Sequence, residues 1–292
     1  MSAFDPRLTP ARPDLAAAHL RGKVEAARFV EGVTKRVVSA SAPLRRRPEP
    51  DAPLDTEALH GERVTIYETN DEGWSWGQLE RDGYVGWLPA SELGDEGPPP
   101  THRVSALRTL VFRGPDIKQP PLASLSLGSR VFVARIKGEF AVSEAGGFIP
   151  ARHLAPLAEH ESDFVAVAER FIGTPYLWGG RSSLGLDCSG LVQVALQAAG
   201  IECPRDSDMQ AAFGSAVPFS GDTATLRRGD LVCWKRHIGI VSAPGRLLHA
   251  NAFHMAVADE PLDEAIERIR GSGLEVTTVR RPGSGWPGQA RP

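Results

Sequence analysis

Cysteine is scarce in this sequence: its 292 residues include three, Cys188, Cys203 and Cys233. They cannot all pair within the chain, and their sparsity argues against a disulfide-stapled secreted domain and points to a reducing compartment. Long hydrophobic runs are missing too. No stretch approaches the ~20 apolar residues that a membrane span requires. Asp5, Pro6, Arg7, Pro10, Arg12, Pro13 and Asp14 leave residues 1–30 without the apolar core of a secretory signal. A cytoplasmic protein with no membrane partner is the expectation. Nor is there an excess of positive charge: the net charge is -3, and the Arg45-Arg46-Arg47 run is short and flanked by proline. No general attraction to nucleic acid follows. His19, His60, His102, His153, His160 and His254 lack ligand spacing with cysteine or carboxylate partners, so neither a metal nor another cofactor is expected.

What is present suits a soluble globular chain, with 41% hydrophobic and 24% charged residues. Its length favours two or three compact units. Residues 1–34 form a first segment in which Leu15, Ala16, Ala17, Ala18, Leu20, Val24, Ala26, Ala27, Phe29 and Val30 suit one or two short helices, interrupted at Gly22. From about residue 35 to 157, short β-branched and aromatic runs alternate with Gly, Pro and Asp, the pattern of small all-β units. An internal repeat runs through them. Gly61-Glu62-Arg63-Val64 parallels Gly128-Ser129-Arg130-Val131, and Gly86-Trp87-Leu88-Pro89-Ala90 parallels Gly147-Phe148-Ile149-Pro150-Ala151. Two copies of one small barrel, over 35–97 and 101–157 and joined by Gly97-Pro98-Pro99-Pro100, explain this. The repeated pattern resembles bacterial SH3-like domains.

A helix followed by strands marks residues 160–292 as an α+β domain. Phe164, Val165, Val167, Ala168 and Phe171 give a helical face ending at Gly173, and a second helix is expected from Cys188 to Gly200 with Asp187 as its cap. Strands are expected at about 230–234, 237–242, 246–250 and 274–280, with a short helix between Pro261 and Gly271.

The chemistry concentrates in this domain. A thiol reacts as thiolate, and a helix N-terminus beside an imidazole favours the anion, which makes Cys188 a candidate nucleophile. His237 opens the apolar strand His237-Ile238-Gly239-Ile240-Val241 and is the candidate base. His249, in Leu247-Leu248-His249-Ala250-Asn251, is the candidate for a third group that fixes the imidazole tautomer. Taken singly, each of these also reads as a packing residue. Their neighbours decide the matter: Gly173-Thr174-Pro175-Tyr176-Leu177-Trp178-Gly179-Gly180 precedes Asp187-Cys188-Ser189-Gly190, and Gly229-Asp230-Leu231-Val232 precedes His237.

This combination resembles the NlpC-type family of cell-wall cysteine peptidases. The resemblance implies a papain-like catalytic core behind the two SH3-like barrels, with Cys188, His237 and His249 as nucleophile, base and orienting residue, and Tyr176 beside the site. The subgroup with SH3-like domains ahead of the core resembles γ-D-glutamyl-L-diamino acid endopeptidases. By that likeness the partner is a small muropeptide, L-Ala-γ-D-Glu-diamino acid, with a free amine. Glu62, Tyr84, Tyr176, Asp187, Ser189, Asp206 and Ser207 become the expected substrate-binding residues. Glu62 and Tyr84 of the first repeat are replaced by Ser129 and Ala145 in the second, so only the first would complete the pocket. An exported hydrolase of intact peptidoglycan, an inactive wall-binding module and a thiol acyltransferase are the alternatives.

Overall fold

Runs rich in β-branched and aromatic residues, separated by turn residues, become strands through the first half of the chain. In the computed structural model, which describes residues 4–283, the chain divides into one compact unit up to Ala158 and a second from Glu159 onward. The first unit begins with β1 (Leu15–Ala17) and β2 (Arg28–Val30). The first repeat follows as β3 (Val33–Val37), β4 (Ser41–Arg45), β5 (Leu54–Leu59), β6 (Arg63–Thr69), β7 (Trp74–Leu79), β8 (Val85–Pro89) and β9 (Leu93–Gly94). The second supplies β10 (His102–Val104), β11 (Arg108–Phe112), β12 (Pro121–Ser126), β13 (Arg130–Val131), β14 (Val133–Lys137), β15 (Phe140–Ser143), β16 (Phe148–Pro150) and β17 (Leu154–Pro156).

The sequence repeat is also a topological one. The first sheet runs β5-β4-β8-β7-β6-β3-β9, and the second repeat gives β12-β11-β16-β15-β14 and β13-β10-β17. The order is the same, with the counterpart of β6 split into β13 and β14. The glycine of each Gly-aromatic-Leu/Ile-Pro-Ala motif has one physical cause: a Cβ on Gly86 would meet Leu44 at 2.2 Å, and one on Gly147 would meet Val111 at 2.4 Å. The proline-rich connection is tied down, because the Arg36 guanidinium donates to the carbonyls of Pro98 (2.9 Å) and Gly97 (3.0 Å). Both repeats therefore share one compact unit.

The N-terminal segment corrects an expectation. It contains no α-helix among the described residues, only a single 3-10 turn at Ala18–Leu20 between extended stretches. Leu15, Ala16 and Ala17 are all fully buried. Three consecutive buried residues suit a strand covered on both faces rather than one stripe of a helix. Leu15 enters the cluster of Trp76 and Val85, and Arg12 stacks over Trp76 and Trp87 at 4.4 and 4.9 Å. Tertiary burial has overridden a helix-prone composition.

In the second unit, α1 (Phe164–Glu169) is capped by Asp163, which accepts from the amides of Val165 and Ala166. The hairpin β18 (Arg181–Ser182) and β19 (Gly185–Leu186) leads into α2 (Cys188–Ala198), and α3 (Ser207–Gln210) follows. Then come β20 (Ser215–Val217), β21 (Leu231–Trp234), β22 (His237–Ala243), β23 (Arg246–Asn251), β24 (Ala256–Pro261), α4 (Leu262–Gly271) and β25 (Val276–Arg281). The six-stranded antiparallel sheet has the order β20-β25-β21-β22-β23-β24. Expected helix and strand positions lie close to those observed. The exceptions are β18, β19, α3, β20 and β24, which the sequence pattern does not announce. Leu262, Ala265 and Ile266 of α4 pack on Val232, Trp234, Val241, Leu247 and Val279 of the sheet. No helix among the described residues is long and apolar enough to cross a membrane.

Candidate active site

Asp187 starts α2 as its N-cap, accepting from the amide of Gly190 at 2.6 Å, so Cys188 takes the first helical position. The first amides of a helix have no intrahelical acceptor. The N–H of Cys188 itself is therefore available to an oxyanion. Gly190 admits the preceding loop: a Cβ there would meet the Gly180 carbonyl at 2.2 Å, which explains why the Trp-Gly-Gly and Cys-Ser-Gly motifs occur together.

The Asp187 carboxylate receives five hydrogen bonds, from Gly179 N, Gly190 N, Ser189 Oγ and both terminal nitrogens of Arg205. Arg205 is 1% exposed and also donates to Ser189 Oγ at 2.9 Å and to the Gly180 carbonyl. Asp187 is thus a helix cap, as expected, with its charge matched by a buried guanidinium. Any contact to a substrate cation would be made with that match already in place. Ser189 is likewise engaged on both sides. Asp206 and Ser207 lie half-buried at the start of α3, and Gln210 of that turn donates to the Ser189 carbonyl at 3.0 Å.

His237 and His249 meet as the alternation of their strands requires, His237 Nε2 lying 2.8 Å from His249 Nδ1. His249 is 1% exposed, and its Nε2 lies 2.6 Å from Glu260 Oε1 on β24. Arg268 of α4 clamps that carboxylate with bonds of 2.6 and 2.5 Å. With Nε2 of His237 taken, Nδ1 is the ring nitrogen left for the thiol. Backbone amides of Ile238, next to His237, and of Ser189 point at the Cys188 sulfur, while no hydrogen bond joins thiol and imidazole directly among the described residues. Catalytic contacts of this kind commonly tighten only with substrate.

Burial works against one expectation. It pushes the Cys188 thiol up to about 12, with the Asp187 charge adding to the effect and the Ile238 amide and Arg205 opposing it. Burial, then the nearby His249 and Arg268, push His237 down to about 3. Both directions favour a neutral thiol and a neutral imidazole in the free site, against the thiolate that a helix start alone favours. Alkylation of Cys188 by iodoacetamide should accordingly keep rising with pH, by up to about 10-fold per unit, from pH 7 into the alkaline range. A rate already on a plateau by pH 6, read by peptide mapping, would show a preformed ion pair instead.

Tyr176 is half-buried, hydrogen-bonds through its amide to the Met255 carbonyl, and has its phenol pKa raised by burial and then by Cys188 and Asp187. Trp178, 62% exposed, is not a packing residue. Cys203 and Cys233 are buried thiols outside any disulfide. Glu62 and Tyr84 lie in the first unit, both buried. Glu62 is ion-paired with Arg81 and accepts from the Leu59 amide at 3.0 Å, so it is no surface charge. Arg205, Glu260 and Arg268 escaped the sequence reading. Arg205 directly precedes Asp206, and Glu260 directly precedes Pro261 at the helix boundary, but neither position alone signals a buried charge.

Comparison with known proteins places this arrangement. The bacterial dipeptidyl-peptidase Sh3 domain matches residues 44–93, and the NlpC/P60 family matches residues 173–271. The gamma-D-glutamyl-L-lysine dipeptidyl-peptidase of Bacillus subtilis is 28% identical, across 79% of this chain and 82% of its own. Dipeptidyl-peptidase 6 of Lysinibacillus sphaericus is 26% identical, across 78% and 91%. A crystal structure of an NlpC/P60 family protein from Bacillus cereus shares the fold, with a TM-score of 0.71 at 20% identity, across 85% of this chain and 99% of that one. With an SH3 domain ahead of a thiol and two linked imidazoles, the chain is a cysteine peptidase whose residues 173–271 form an NlpC/P60 family domain.

Proposed function

We propose that this chain hydrolyses the γ-D-glutamyl-L-diamino acid bond of small muropeptides that carry a free N-terminal L-Ala, recycling wall peptide inside the cell. The observation that carries the chemistry is the line of Cys188 at a helix start, then His237, then His249, within one domain. The substrate rests on the relatives named gamma-D-glutamyl-L-lysine dipeptidyl-peptidase, whose likeness extends over most of the chain rather than the catalytic domain alone. Three buried thiols, none in a disulfide, agree with a reducing compartment. The second β repeat, with the strand order of the first, is read as a second SH3-like barrel.

In this reading Cys188 Sγ attacks the γ-carbonyl of D-glutamate as its proton passes to His237. The oxyanion is met by the N–H of Cys188, His237 protonates the leaving amine, and water then releases the acid from the thioester.

Pure protein given L-Ala-γ-D-Glu-L-Lys, its diaminopimelate counterpart, their N-acetylated forms and intact sacculi should release L-Ala-D-Glu from the free-amine peptides, as read by mass spectrometry. Acetylation removes a charge-assisted contact of ~1.5–3 kcal/mol and should lower kcat/KM by roughly 10- to 150-fold. Equal cleavage of acetylated peptide or sacculi would replace the recycling enzyme with a wall hydrolase.

A further inference from the structure

We propose that Glu260, held by Arg268, is a positioning residue that sets the tautomer of both histidines and so directs the basic nitrogen of the pair toward Cys188. This deepens the proposed peptidase reading and rests on it.

The argument is one of proton counting. An ionised carboxylate only accepts, so a neutral His249 beside Glu260 Oε1 at 2.6 Å must carry its proton on Nε2. Its Nδ1 is then bare and can only accept. His237 Nε2, 2.8 Å away, must therefore be the donor. A neutral His237 protonated at Nε2 has its lone pair on Nδ1, the one ring nitrogen that has no hydrogen-bond partner among the described residues. One carboxylate thus dictates the state of a nitrogen two rings away.

The register of the sheet makes the contact possible. Leu247 pairs with Glu260 and His249 with Ala258, so His249 and Glu260 are diagonal neighbours on one face of β23 and β24. Arg268 reaches the same carboxylate from α4 with two nitrogens. Burial favours protonation of Glu260, but the bonds from His249 and Arg268 prevail and hold its pKa at about 2. The other charged or titratable groups facing the pair are His254, 3.9 Å from Glu260, Glu264 beside Arg268, and Cys188 with Asp187 and Arg205 at the start of α2.

Arg268 also gives the test its direction. In Glu260→Gln the single amide oxygen is drawn to the guanidinium, which turns the NH2 toward His249. That reverses the chain of donors: His249 is protonated at Nδ1 and His237 loses its basic nitrogen. Reversal of a catalytic histidine's tautomer is worth up to about 10⁴ in kcat, so Glu260→Gln should lose about 100-fold or more with KM within ~3-fold. Glu260→Asp should recover part of the loss. Adding Arg268→Ala to Glu260→Gln frees the amide to turn its oxygen to His249 and should raise kcat by about 10-fold over Glu260→Gln alone, a rescue that a merely structural role does not give. Independently of turnover, histidine ring ¹⁵N spectra of the Cys188→Ala protein should show His237 and His249 both protonated at Nε2, with His249 switching to Nδ1 when Glu260→Gln is added. A parent His249 protonated at Nδ1, a Glu260→Gln enzyme within ~3-fold of the parent, or a double variant no better than Glu260→Gln would each overturn the proposal. Activity surviving in Cys188→Ala would instead sink the peptidase reading, while the ring spectra would still report on Glu260.

Discussion

Cys188→Ala should abolish turnover, with kcat on the order of 10⁴-fold lower or more, because no other group at the start of α2 can form the thioester. The fold should tolerate the change. Cys188 is buried, but the substitution removes one sulfur atom and leaves the cap untouched: Asp187 still accepts from Gly190 at 2.6 Å. A loss of about 1 kcal/mol is expected for the vacated volume, a few degrees in Tm. Parallel measurement of peptide release and thermal unfolding separates the two effects. Substantial hydrolysis by the alanine protein would mean that the attacking atom lies elsewhere.

Arg205→Met should have the opposite profile, damaging stability first. The guanidinium is fully buried and bonded to both Asp187 oxygens, at 2.9 and 2.7 Å, so its removal strands a buried carboxylate beneath the catalytic helix. Breaking a buried pair from one side costs about 3–5 kcal/mol, which for a unit of this size lowers Tm by roughly 10 to 20 °C. Asp187→Asn added to Arg205→Met should restore most of the loss, since asparagine still caps the helix and leaves no charge behind. A single Arg205→Met protein melting within about 1 °C of the parent would show that the pair contributes nothing to stability. Removing Arg205 also removes a positive charge that opposes the rise of the Cys188 pKa, so any activity left at permissive temperature should be reduced as well.

The parts of this site that were legible in the sequence are those written in local rules. Asp187 before an apolar periodic run announces a helix start, and with it the place of Cys188. The alternation in His237-Ile238-Gly239-Ile240-Val241 and Leu247-Leu248-His249 puts two imidazoles on adjacent strands. What stayed hidden depends on partners distant in sequence. Glu260 is recognisable only once β24 is known to pair with β23, and Arg205 only once α3 is seen against α2. The N-terminal segment misled because an alanine-rich stretch suits a helix, whereas burial of Leu15, Ala16 and Ala17 together selects an extended chain. Burial, invisible in the sequence, also acts on the thiol, in the direction opposite to the helix start that favours its anion.

The way β3 and residues 4–20 complete the first repeat bears on what can be treated as a transferable cassette. The stretch that matches the Sh3 domain, 44–93, omits β3, which lies between β6 and β9, and omits Leu15 and Arg12, which cover Trp76. A copy of the gene fragment ending at those limits would carry an open sheet edge along β6 and a bare indole, both invitations to self-association. The piece that keeps this sheet edge paired and this indole covered is therefore the longer one that begins ahead of Arg12.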